Sequence, residues 1–530
     1  MSKTLYFTTP LYYVNAAPHI GHSYTTIAAD ALARYYRLKG ESVFLLTGTD
    51  EHGQKIEQAA AAAGKTPQVY VDDVVERFLE LWKLLNISYD DFIRTTQPRH
   101  EKAVQAILTK LYDEKKLVHA EYQGWYCTPD ETFWTEAELA ATGRVDGKPL
   151  CPSCQRALEP VQEDGWHLPL RASQDWLRNF VKTHPDFVKP ASRYNELASL
   201  LEQPLPESLC ITRPRQRVSW GIPVPFSPDH VTYVWIDALL NYITVAGYLE
   251  NPKRFDALWP AAMHVIGKDI LRHHALYWPV LLHALGLPDA QMPKTIFAHG
   301  WWKVGEQKMS KTLGNIVDPT AVVTQLLKDQ PYAADIYRYF LLREIPFGQD
   351  GSFSEDALFK RLDADLANDL GNLVNRTCSM LERYCQGVIP QADGVGASSD
   401  DAALWTAAQQ VSSAVDASMS RVDFSGALEA IMAVVTQTNQ YIERTAPWKL
   451  AKQPESVRRL HVVLVTMASV VRALAAQLQP FMPSVADAMW EQLGYTGVSH
   501  TADPTLVTAS WPSAHPIGAH PVLFPRAKVG

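Results

Sequence analysis

The first fifty residues predict a strand, a helix and a second strand, and this order constrains the fold more than any other feature. Leu5 to Thr8 is a short apolar run, and residues 22–39 carry apolar side chains at helical spacing before Gly40, which suits a C-cap. Residues 42–46 form a second β-rich run. This spacing predicts two parallel strands joined by a right-handed crossover, the beginning of an α/β domain.

The motif PHIGH, residues 18–22, lies where the predicted helix begins. In an open parallel sheet, ligands bind beyond the carboxyl ends of the strands, and a helix N-terminus there presents N–H groups to phosphate. His19 and His22 are three residues apart, so both can reach one polyanion, and Gly21 leaves room for an adenine ring against the backbone. Taken alone, the motif more often marks two ordinary surface histidines at a helix start.

A second motif, KMSKT, occupies residues 308–312 in a polar stretch flanked by glycines. Lys308 and Lys311 place two ammonium groups on one loop, an arrangement that suits a pyrophosphate whose charge grows in a transition state. Alone, this segment is more often a solvated basic turn. The two motifs in this order within an α/β frame are much more specific.

Composition changes twice along the rest of the chain. Residues 116 to about 225 are rich in Trp, Pro, Gly and Cys, which predicts an insertion with short strands inside the α/β domain. The α/β pattern then returns, and from about residue 355 the strand signals give way to helical periodicity typical of a bundle.

Three of the six cysteines lie close together in the insertion. Cys127 belongs to the tetrapeptide CTPD, and Cys151 and Cys154 bound CPSC, with the spacing of paired metal knuckles. Asp130 ends the first tetrapeptide, and a carboxylate can also ligate zinc. The alternative is a CPSC turn held only by hydrogen bonds.

Charge and the N-terminal sequence limit the class of protein. A net charge of −8 excludes a chain that is basic throughout but allows a local basic face for nucleic acid. The start, MSKTLYFTTP, has no apolar signal-peptide region, so we expect a cytoplasmic protein with no membrane partner.

HIGH and KMSKT together resemble the signature of class I aminoacyl-tRNA synthetases. From residue 4 to about 495, further segments are similar, in the same order, to the methionyl-tRNA synthetase family. They are PLYYVNAAPHIGHSY, TGTDEHGQKI, SWGIPVP, YVWIDALLNY, IGKDI, KMSKTLGN, PFGQDGSFSEDAL and NDLGNLVNR.

The resemblance implies an α/β, Rossmann-type catalytic domain with an inserted, zinc-knuckle-like connective-peptide domain and a C-terminal α-helical bundle. The implied segments are catalytic halves at 1–115 and 229–320, the insertion at 116–228, a stem-contact linker at 321–365 and an anticodon-binding domain at 366–530. The implied enzyme is a ligase that forms an adenylate from methionine and ATP and transfers the methionyl group to the 3′ adenosine of tRNA(Met).

The resemblance also assigns residues to the reaction. His19, His22, Lys308 and Lys311 are the implied catalytic residues, and with Gly21, Gly267 and Asp269 they bind ATP, whose phosphates carry Mg²⁺. Asp50 is the implied ammonium ligand, although a helix N-cap is its alternative. The implied methionine pocket comprises Leu11, Tyr13, Trp235, Ala238, Leu239, Tyr242, Ile270 and His274. The helical spacing of Trp235, Ala238 and Tyr242 also suits a plain core stripe, and Leu239 replaces a proline of some relatives.

Two further sites follow from the resemblance. Cys127, Asp130, Cys151 and Cys154 are the implied ligands of a structural Zn²⁺. Asn372, Arg376 and Trp448 match anticodon-reading positions, and Trp448 is suited to stacking on a base. Residues 441–460 also form a local basic surface, which, without the resemblance, suits a capped helix with a solvated face equally well.

Several alternatives fit less well. The cysteine enzyme requires a cysteine before HIGH, and none precedes Cys127. The leucine, isoleucine and valine enzymes carry a larger editing insertion, although another class I synthetase for an apolar amino acid remains the alternative. A small nucleotidylyltransferase lacks a helical domain, and a non-catalytic tRNA-binding relative would have lost the motifs. Because no further OB-type domain follows the bundle, we expect a monomer.

Overall fold

The structure is a computed structural model, and it divides into two compact units. It describes residues 4–129, 131–134, 136, 139–140, 142–152, 154–305, 307–308, 316–392, 398–497, 506 and 509–526. The first unit comprises residues 1–18, 42–80 and 89–299, and the second comprises residues 19–41, 81–88 and 300–530.

A seven-stranded parallel sheet forms the framework of the first unit. Its strands, in spatial order, are Val188–Lys189, Ile296–His299, Met263–Gly267, Leu5–Thr8, Val43–Asp50 and Tyr12–Tyr13, with Asp91–Arg94 also paired to Val43–Asp50. Leu5 lies opposite Val43 in parallel register, which confirms the parallel pair predicted from the first fifty residues. The second strand continues to Asp50, four residues beyond the predicted run, because its later residues are also buried.

Helices of the first unit cover the apolar sheet residues. Their bounds are Gln54–Ala62, Pro67–Leu84 (which extends into the second unit), Pro98–Asp113, Gln174–Thr183, Ala191–Leu201, Val234–Ala246, Pro252–Leu258 and Trp278–Ala284. Helix Val234–Ala246 is buried on almost every side, and its sequence is mostly apolar, with Asp237 and Asn241 as buried polar residues. It ends at Gly247, whose φ of 96° is the left-handed cap conformation that glycine adopts without strain.

The inserted segment forms an antiparallel sheet of its own. Its strands, in spatial order, are Ser208–Cys210, Glu159–Pro169, Val118–Cys127 and Thr132–Trp134. Two of them have ten and eleven residues, longer than the short strands predicted from the sequence. Two-stranded pairs add Arg144–Val145 with Lys148–Pro149, and Thr212–Pro214 with His230–Thr232.

The second unit is mainly helical, as predicted for its C-terminal part. Its helices are Ile20–Leu38, Pro319–Ala321, Ala333–Arg343, Glu355–Arg361, Asn372–Cys385, Ser399–Met419, Phe424–Thr445, Pro447–Leu450, Val457–Leu478 and Pro483–Gln492. Its strands are Trp302–Val304 with Gln307–Lys308 and Gly351–Phe353, and Val388–Ile389 with His515–Pro516. The last pair is an exception to the prediction that strands end near residue 355.

One helix of the bundle, Pro454–Leu478 with its 3₁₀ start, is long and apolar enough to cross a membrane by length and composition alone. Of its most apolar window, 94% is buried inside the protein, as the core helix of a bundle requires. It packs against the helices beginning at Asn372, Ser399, Phe424 and Pro483.

A buried charge cluster ties helix Ile20–Leu38 to its neighbours in the second unit. Asp30 Oδ2 lies 2.7 Å from Arg338 Nη1 and 2.9 Å from Arg34 Nε. Asp30 Oδ1 accepts hydrogen bonds from the N–H and hydroxyl of Ser88. Burial raises the pKa of Asp30, but the two arginines and Ser88 outweigh it and lower that pKa to about 2.

Candidate active site

The two histidines of PHIGH form the N-terminal cap of helix Ile20–Leu38. His19 is the N-cap, and its Nδ1 accepts from the Gly21 N–H at 3.1 Å. The Nδ1 of His22 accepts from the His19 N–H at 3.1 Å, and the rings stack with centroids 3.8 Å apart. Because both Nδ1 atoms accept, a neutral ring at either position carries its proton on Nε2.

The structure supplies a steric reason for Gly21. A Cβ at this position would lie 2.9 Å from His19 Cε1 and 3.1 Å from its Nδ1. The glycine therefore allows the His19 ring to fold back over the first turn and cap it. This adds to the sequence argument, which assigned the space above Gly21 to an adenine ring.

The second motif is described only at its start. Lys308 ends the strand Gln307–Lys308, which pairs antiparallel with Lys303 and Val304. Lys311 lies outside the described residues, as does Asp130 of the predicted metal site.

Asp50 ends a strand of the parallel sheet and is not a helix N-cap. The helix that follows begins at Gln54 after Gly53. Asp50 is 5% exposed, and its Oδ1 has no hydrogen-bond partner among the described residues. Burial, and then the charges of Asp237, Glu131 and Glu51, raise the pKa of Asp50 well above its ordinary value. A buried, incompletely bonded carboxylate of this kind is suited to a cationic ligand.

Tyr13 lies beside Asp50 on the neighbouring strand. The two residues are register partners, and the Val14 N–H donates to the Asp50 carbonyl at 3.3 Å. The Tyr13 hydroxyl donates to Glu131 Oε1 at 3.1 Å. Burial, with the nearby charges of Glu131 and Asp50, raises the pKa of Tyr13, so its hydroxyl stays a donor.

Sequence reasoning missed a buried cluster of Asp237 and two histidines. Asp237 Oδ2 lies 2.6 Å from His52 Nδ1, and its Oδ1 lies 2.7 Å from His100 Nε2. Burial lowers the pKa of His52, but Asp237 outweighs it and raises that pKa above its ordinary value. The signal was an aspartate inside the apolar helix sequence VWIDALLNY, since a buried charge needs a partner.

The predicted methionine side-chain pocket contains a neutral hydrogen-bonded pair, Tyr242 and His274. His274 Nδ1 lies 3.0 Å from the Ile270 carbonyl and donates to it, which leaves Nε2 to accept from the Tyr242 hydroxyl at 2.8 Å. Burial lowers the pKa of His274 to about 4, so the ring is uncharged at neutral pH. His274 lies in a π-helical turn, His273–Tyr277, a local geometry frequent at functional sites.

The other predicted pocket residues belong to the same unit. Trp235 stacks on His273 with ring centroids 3.8 Å apart. Ala238 and Leu239 are buried on the same helix, and Leu11 and Ile270 pack partly buried against the core that includes Leu239 and Tyr242. Two cavities of about 390 and 350 Å³ lie elsewhere, and none of these residues lines either of them.

Gly267 and Asp269 follow another parallel strand. Gly267 ends Met263–Gly267, and Asp269 lies in the 3₁₀ turn Lys268–Ile270. A Cβ on Gly267 would lie 2.6 Å from Asp269 Oδ1, so the carboxylate folds back over the glycine. Both residues lie beyond a strand's carboxyl end, the edge at which α/β sheets bind ligands.

Three cysteine thiols converge in the insertion. Cys127 Sγ lies 3.5 Å from Cys154 Sγ, and the sulfurs of Cys127, Cys151 and Cys154 all lie within 4.8 Å of one another. Tetrahedral Zn–S bonds of about 2.3 Å would place the sulfurs about 3.8 Å apart, so the donor set fits zinc. Among the described residues, the surrounding apolar cluster adds Leu139 and Leu158 as buried residues and Trp125 and Trp134 as partly buried ones, so a metal would supply much of its stability.

Comparison with known proteins decides the family. The family described as tRNA synthetases class I (M) matches residues 5–378, and the anticodon-binding domain of tRNA ligase matches residues 401–521. A methionine–tRNA ligase of Caldanaerobacter subterraneus subsp. tengcongensis is 48% identical over 497 residues, 94% of this chain and 75% of that protein. One of Bacillus subtilis is 42% identical over 532 residues, 99% of this chain and 78% of that protein. The chain belongs to the methionyl-tRNA synthetase family.

Solved structures agree with this assignment. Methionyl-tRNA synthetase of Mycobacterium tuberculosis bound by methionyl-adenylate matches with a TM-score of 0.92 and 38% identity, covering 99% of this chain and all of that one. Its apo form matches with a TM-score of 0.85 and 36% identity, covering 100% and 99%. The predicted fold class and the predicted ATP-dependent methionine–tRNA ligase are confirmed, in preference to another class I synthetase.

The predicted anticodon residues of this methionyl-tRNA synthetase family member are divided between the two family matches. Asn372 and Arg376 lie on helix Asn372–Cys385, at the end of the class I match, and Trp448 lies in the anticodon-binding match. The Arg376 guanidinium lies 5.7 Å from the Trp448 ring centroid, and its Nη2 lies 2.7 Å from Glu443 Oε1. The structure therefore brings Arg376 and Trp448 together.

Proposed function

We propose that this chain activates methionine with ATP at the Asp50 edge of its parallel sheet and then transfers the methionyl group to tRNA(Met). The observation that carries this proposal is the buried Asp50 carboxylate, whose Oδ1 has no hydrogen-bond partner among the described residues. The ammonium of an amino acid supplies a positive charge and donors to that oxygen. Ion pairing then offsets the desolvation that raises the pKa of Asp50.

The proposed side-chain pocket selects methionine by shape and by polarity. Tyr242 and His274 satisfy each other and the Ile270 carbonyl, so they present an uncharged surface. Together with Trp235 and Tyr13, they offer aromatic faces to a thioether. Leu11, Ala238, Leu239 and Ile270 complete the apolar wall in this proposal. A branched side chain of similar volume would fit the unbranched slot less well.

The activation step needs no protein base in this proposal. A methionine carboxylate oxygen attacks the α-phosphorus of ATP, the new O–P bond forms, and pyrophosphate leaves. His19, His22, Lys308 and Lys311 stabilise the growing phosphate charge, while Gly21, Gly267 and Asp269 hold the adenosine. Mg²⁺ carried by ATP would neutralise phosphate charge.

Outside the active site, we propose one metal site that stabilises the insertion and one set of residues that contacts the anticodon. Cys127, Asp130, Cys151 and Cys154 would hold a structural zinc, which supplies a cross-link in place of a larger core. Asn372, Arg376 and Trp448 would contact anticodon bases, supported by the Arg376–Trp448 contact. We further propose a cytoplasmic monomer with tRNA(Met), methionine and ATP as its partners.

Amino-acid-dependent exchange of pyrophosphate into ATP tests the proposed function. Methionine should support exchange, and leucine and isoleucine should not, because neither matches the unbranched thioether. Charging of tRNA(Met) transcripts by the same preparation tests the second step. Exchange with leucine or isoleucine at the rate found with methionine would refute the proposed specificity.

A further inference from the structure

One carboxylate of the insertion, that of Glu131, lies beside Tyr13, a residue of the proposed amino-acid site. Strand Val118–Cys127 pairs antiparallel with strand Thr132–Trp134, and Cys127 is the register partner of Thr132, so the two strands form a hairpin. Glu131 directly precedes the second of these strands, has turn geometry and is 4% exposed. Its side chain is therefore buried although it lies on a turn, where a glutamate is ordinarily solvated.

The Glu131 side chain is fully engaged. Oε1 accepts from the Tyr13 hydroxyl at 3.1 Å and from the Lys55 N–H at 2.9 Å, and Oε2 accepts from the Tyr126 hydroxyl. The Tyr233 hydroxyl donates to the Glu131 carbonyl. Two of these donors lie near Asp50: Tyr13 is its register partner on the neighbouring strand, and Lys55 belongs to the first turn of the helix that follows it.

The backbone at Glu131 adds a second, independent observation. Its φ is 50°, a left-handed conformation that costs a residue with a Cβ more than it costs glycine. A glutamate held there with three hydrogen bonds to its carboxylate indicates that the carboxylate itself is needed. On the opposite side, Gly53 has a φ of 105°, and a Cβ there would lie 2.7 Å from the Tyr13 hydroxyl and 3.0 Å from Glu131 Oε1. The Tyr13–Glu131 contact therefore has Gly53 on one side, where a Cβ would not fit, and the turn at Glu131, with its positive φ, on the other.

We propose that Glu131 is a positioning residue for methionine activation, which holds the Tyr13 ring and the loop after Asp50 in the geometry that binds the amino acid. The inference deepens the proposed function and rests on it, because Tyr13 and Asp50 are the residues it positions. The hairpin that carries Glu131 begins at Cys127, so the cysteine cluster anchors the base of the element that reaches the amino-acid site.

The test compares two substitutions at one position in the full chain. Glu131→Ala removes all the side-chain acceptors, and we expect the methionine KM in pyrophosphate exchange to rise roughly tenfold, with kcat and the ATP KM within about threefold. Glu131→Gln keeps an acceptor for Tyr13 and Lys55, so it should restore the methionine KM to within about threefold of wild type. The control Glu159→Ala changes an exposed glutamate of the same insertion and should leave all three constants unchanged.

A double-mutant cycle with Tyr13→Phe tests whether Glu131 acts through Tyr13. The effect of Glu131→Ala should shrink at least several-fold in the Tyr13→Phe background, because the shared hydrogen bond is already absent. Tyr126→Phe removes only the donor to Oε2 and gives a milder variant if Glu131→Ala does not fold. It should raise the methionine KM about two- to fivefold without changing kcat.

Four results would overturn the inference. These are an unchanged methionine KM in folded Glu131→Ala at an unchanged melting temperature, the same unchanged KM with a lowered melting temperature, an equal loss in Glu131→Gln and Glu131→Ala, and additive effects in the cycle. If added zinc reversed the rise in methionine KM, the role would belong to the metal site instead. Wild-type protein without methionine-dependent exchange would refute the proposed function itself, which the other results leave intact.

Discussion

Two buried aspartates, one in each unit, have opposite surroundings. Asp30, in the middle of a helix of the second unit, is paired with Arg34 and Arg338 and bonded to Ser88, and its pKa falls to about 2. Asp50, at the end of a strand of the first unit, has acidic neighbours and an oxygen without a hydrogen-bond partner among the described residues. Its pKa is raised by burial and by those neighbours.

This difference is the one expected between a structural charge, Asp30, and the proposed ligand-binding charge, Asp50. Asp30 is satisfied within the protein, so its ionised form stabilises the fold. Burial and the repulsion of acidic neighbours oppose the ionisation of Asp50. A cationic ligand would therefore stabilise its charge more than the surrounding protein does. Substitutions at these two positions should therefore affect different measurements.

The largest expected effect is the loss of stability in Asp30→Asn. Removing this charge leaves the fully buried Arg338 without its nearest anion, and breaking such a pair costs about 3–5 kcal/mol. Urea unfolding followed by tryptophan fluorescence should show this loss in the free energy of unfolding. Methionine KM in the folded protein should not change.

Asp400→Asn is the matched control in the same unit. Asp400 pairs with Arg444 at 3.3 Å, and both side chains are about half exposed, so the loss should stay below about 1 kcal/mol. Equal losses in the two variants would contradict the structural role of Asp30.

Acid should remove the stability that ionised Asp30 supplies. Its pKa is lowered from 3.8 to about 2, so this contribution is present above the ordinary value and is lost as pH falls toward about 2. The shift corresponds to roughly 2.5 kcal/mol. Between about pH 4 and pH 2, the free energy of unfolding should fall more steeply for wild type than for Asp30→Asn. Parallel curves would mean that Asp30 does not titrate as a paired carboxylate.

Asp50→Asn should act on ligand binding instead of on stability. Losing a charge-assisted bond to the ammonium should weaken methionine binding by about 1.5–3 kcal/mol, roughly 10- to 150-fold in Kd. The free energy of unfolding should stay equal or rise slightly, because a desolvated charge is removed. Calorimetric titration and urea unfolding measure the two quantities. Unaltered methionine affinity with lower stability would make Asp50 structural, like Asp30.

The smallest effect concerns the surface around Trp448, where Arg376 already contacts Glu443 and the tryptophan ring. Stacking on an aromatic side chain is worth about 1–3 kcal/mol per base, so Trp448→Ala should lower kcat/KM for tRNA charging roughly 5- to 150-fold. Pyrophosphate exchange, which needs no tRNA, should stay unchanged. Arg376→Ala should behave similarly and tolerate altered anticodons.

Arg421→Ala is the control for charge, since Arg421 is exposed in the same unit. If exchange and charging fell equally in Trp448→Ala, the tryptophan would be part of the bundle core. If neither fell, the anticodon would be read elsewhere.

The sequence by itself determined the parallel strand pair, the helical bundle, the three converging cysteines and the family. These features depend on local spacing: alternation and helical period select elements, and short motifs such as HIGH and CPSC carry their chemistry within a few residues. Most residues of the candidate site were also predicted, through the resemblance of segments such as TGTDEHG and YVWIDALLNY to the family. Their roles stay predictions.

Only the tertiary structure decided that Asp30 is paired with arginines while Asp50 is surrounded by other acidic residues. Asp30 follows Ala29 and Asp50 follows Thr49, and nothing near them in the sequence indicates that Arg338 pairs with one and Glu131 adds its charge near the other. The bonds of Asp237 to His52 and His100, and of Glu131 to Tyr13, likewise join residues far apart in the chain. Strand register and side-chain packing set these contacts, and both arise from the whole fold, whereas a local pattern reports only on its immediate neighbours.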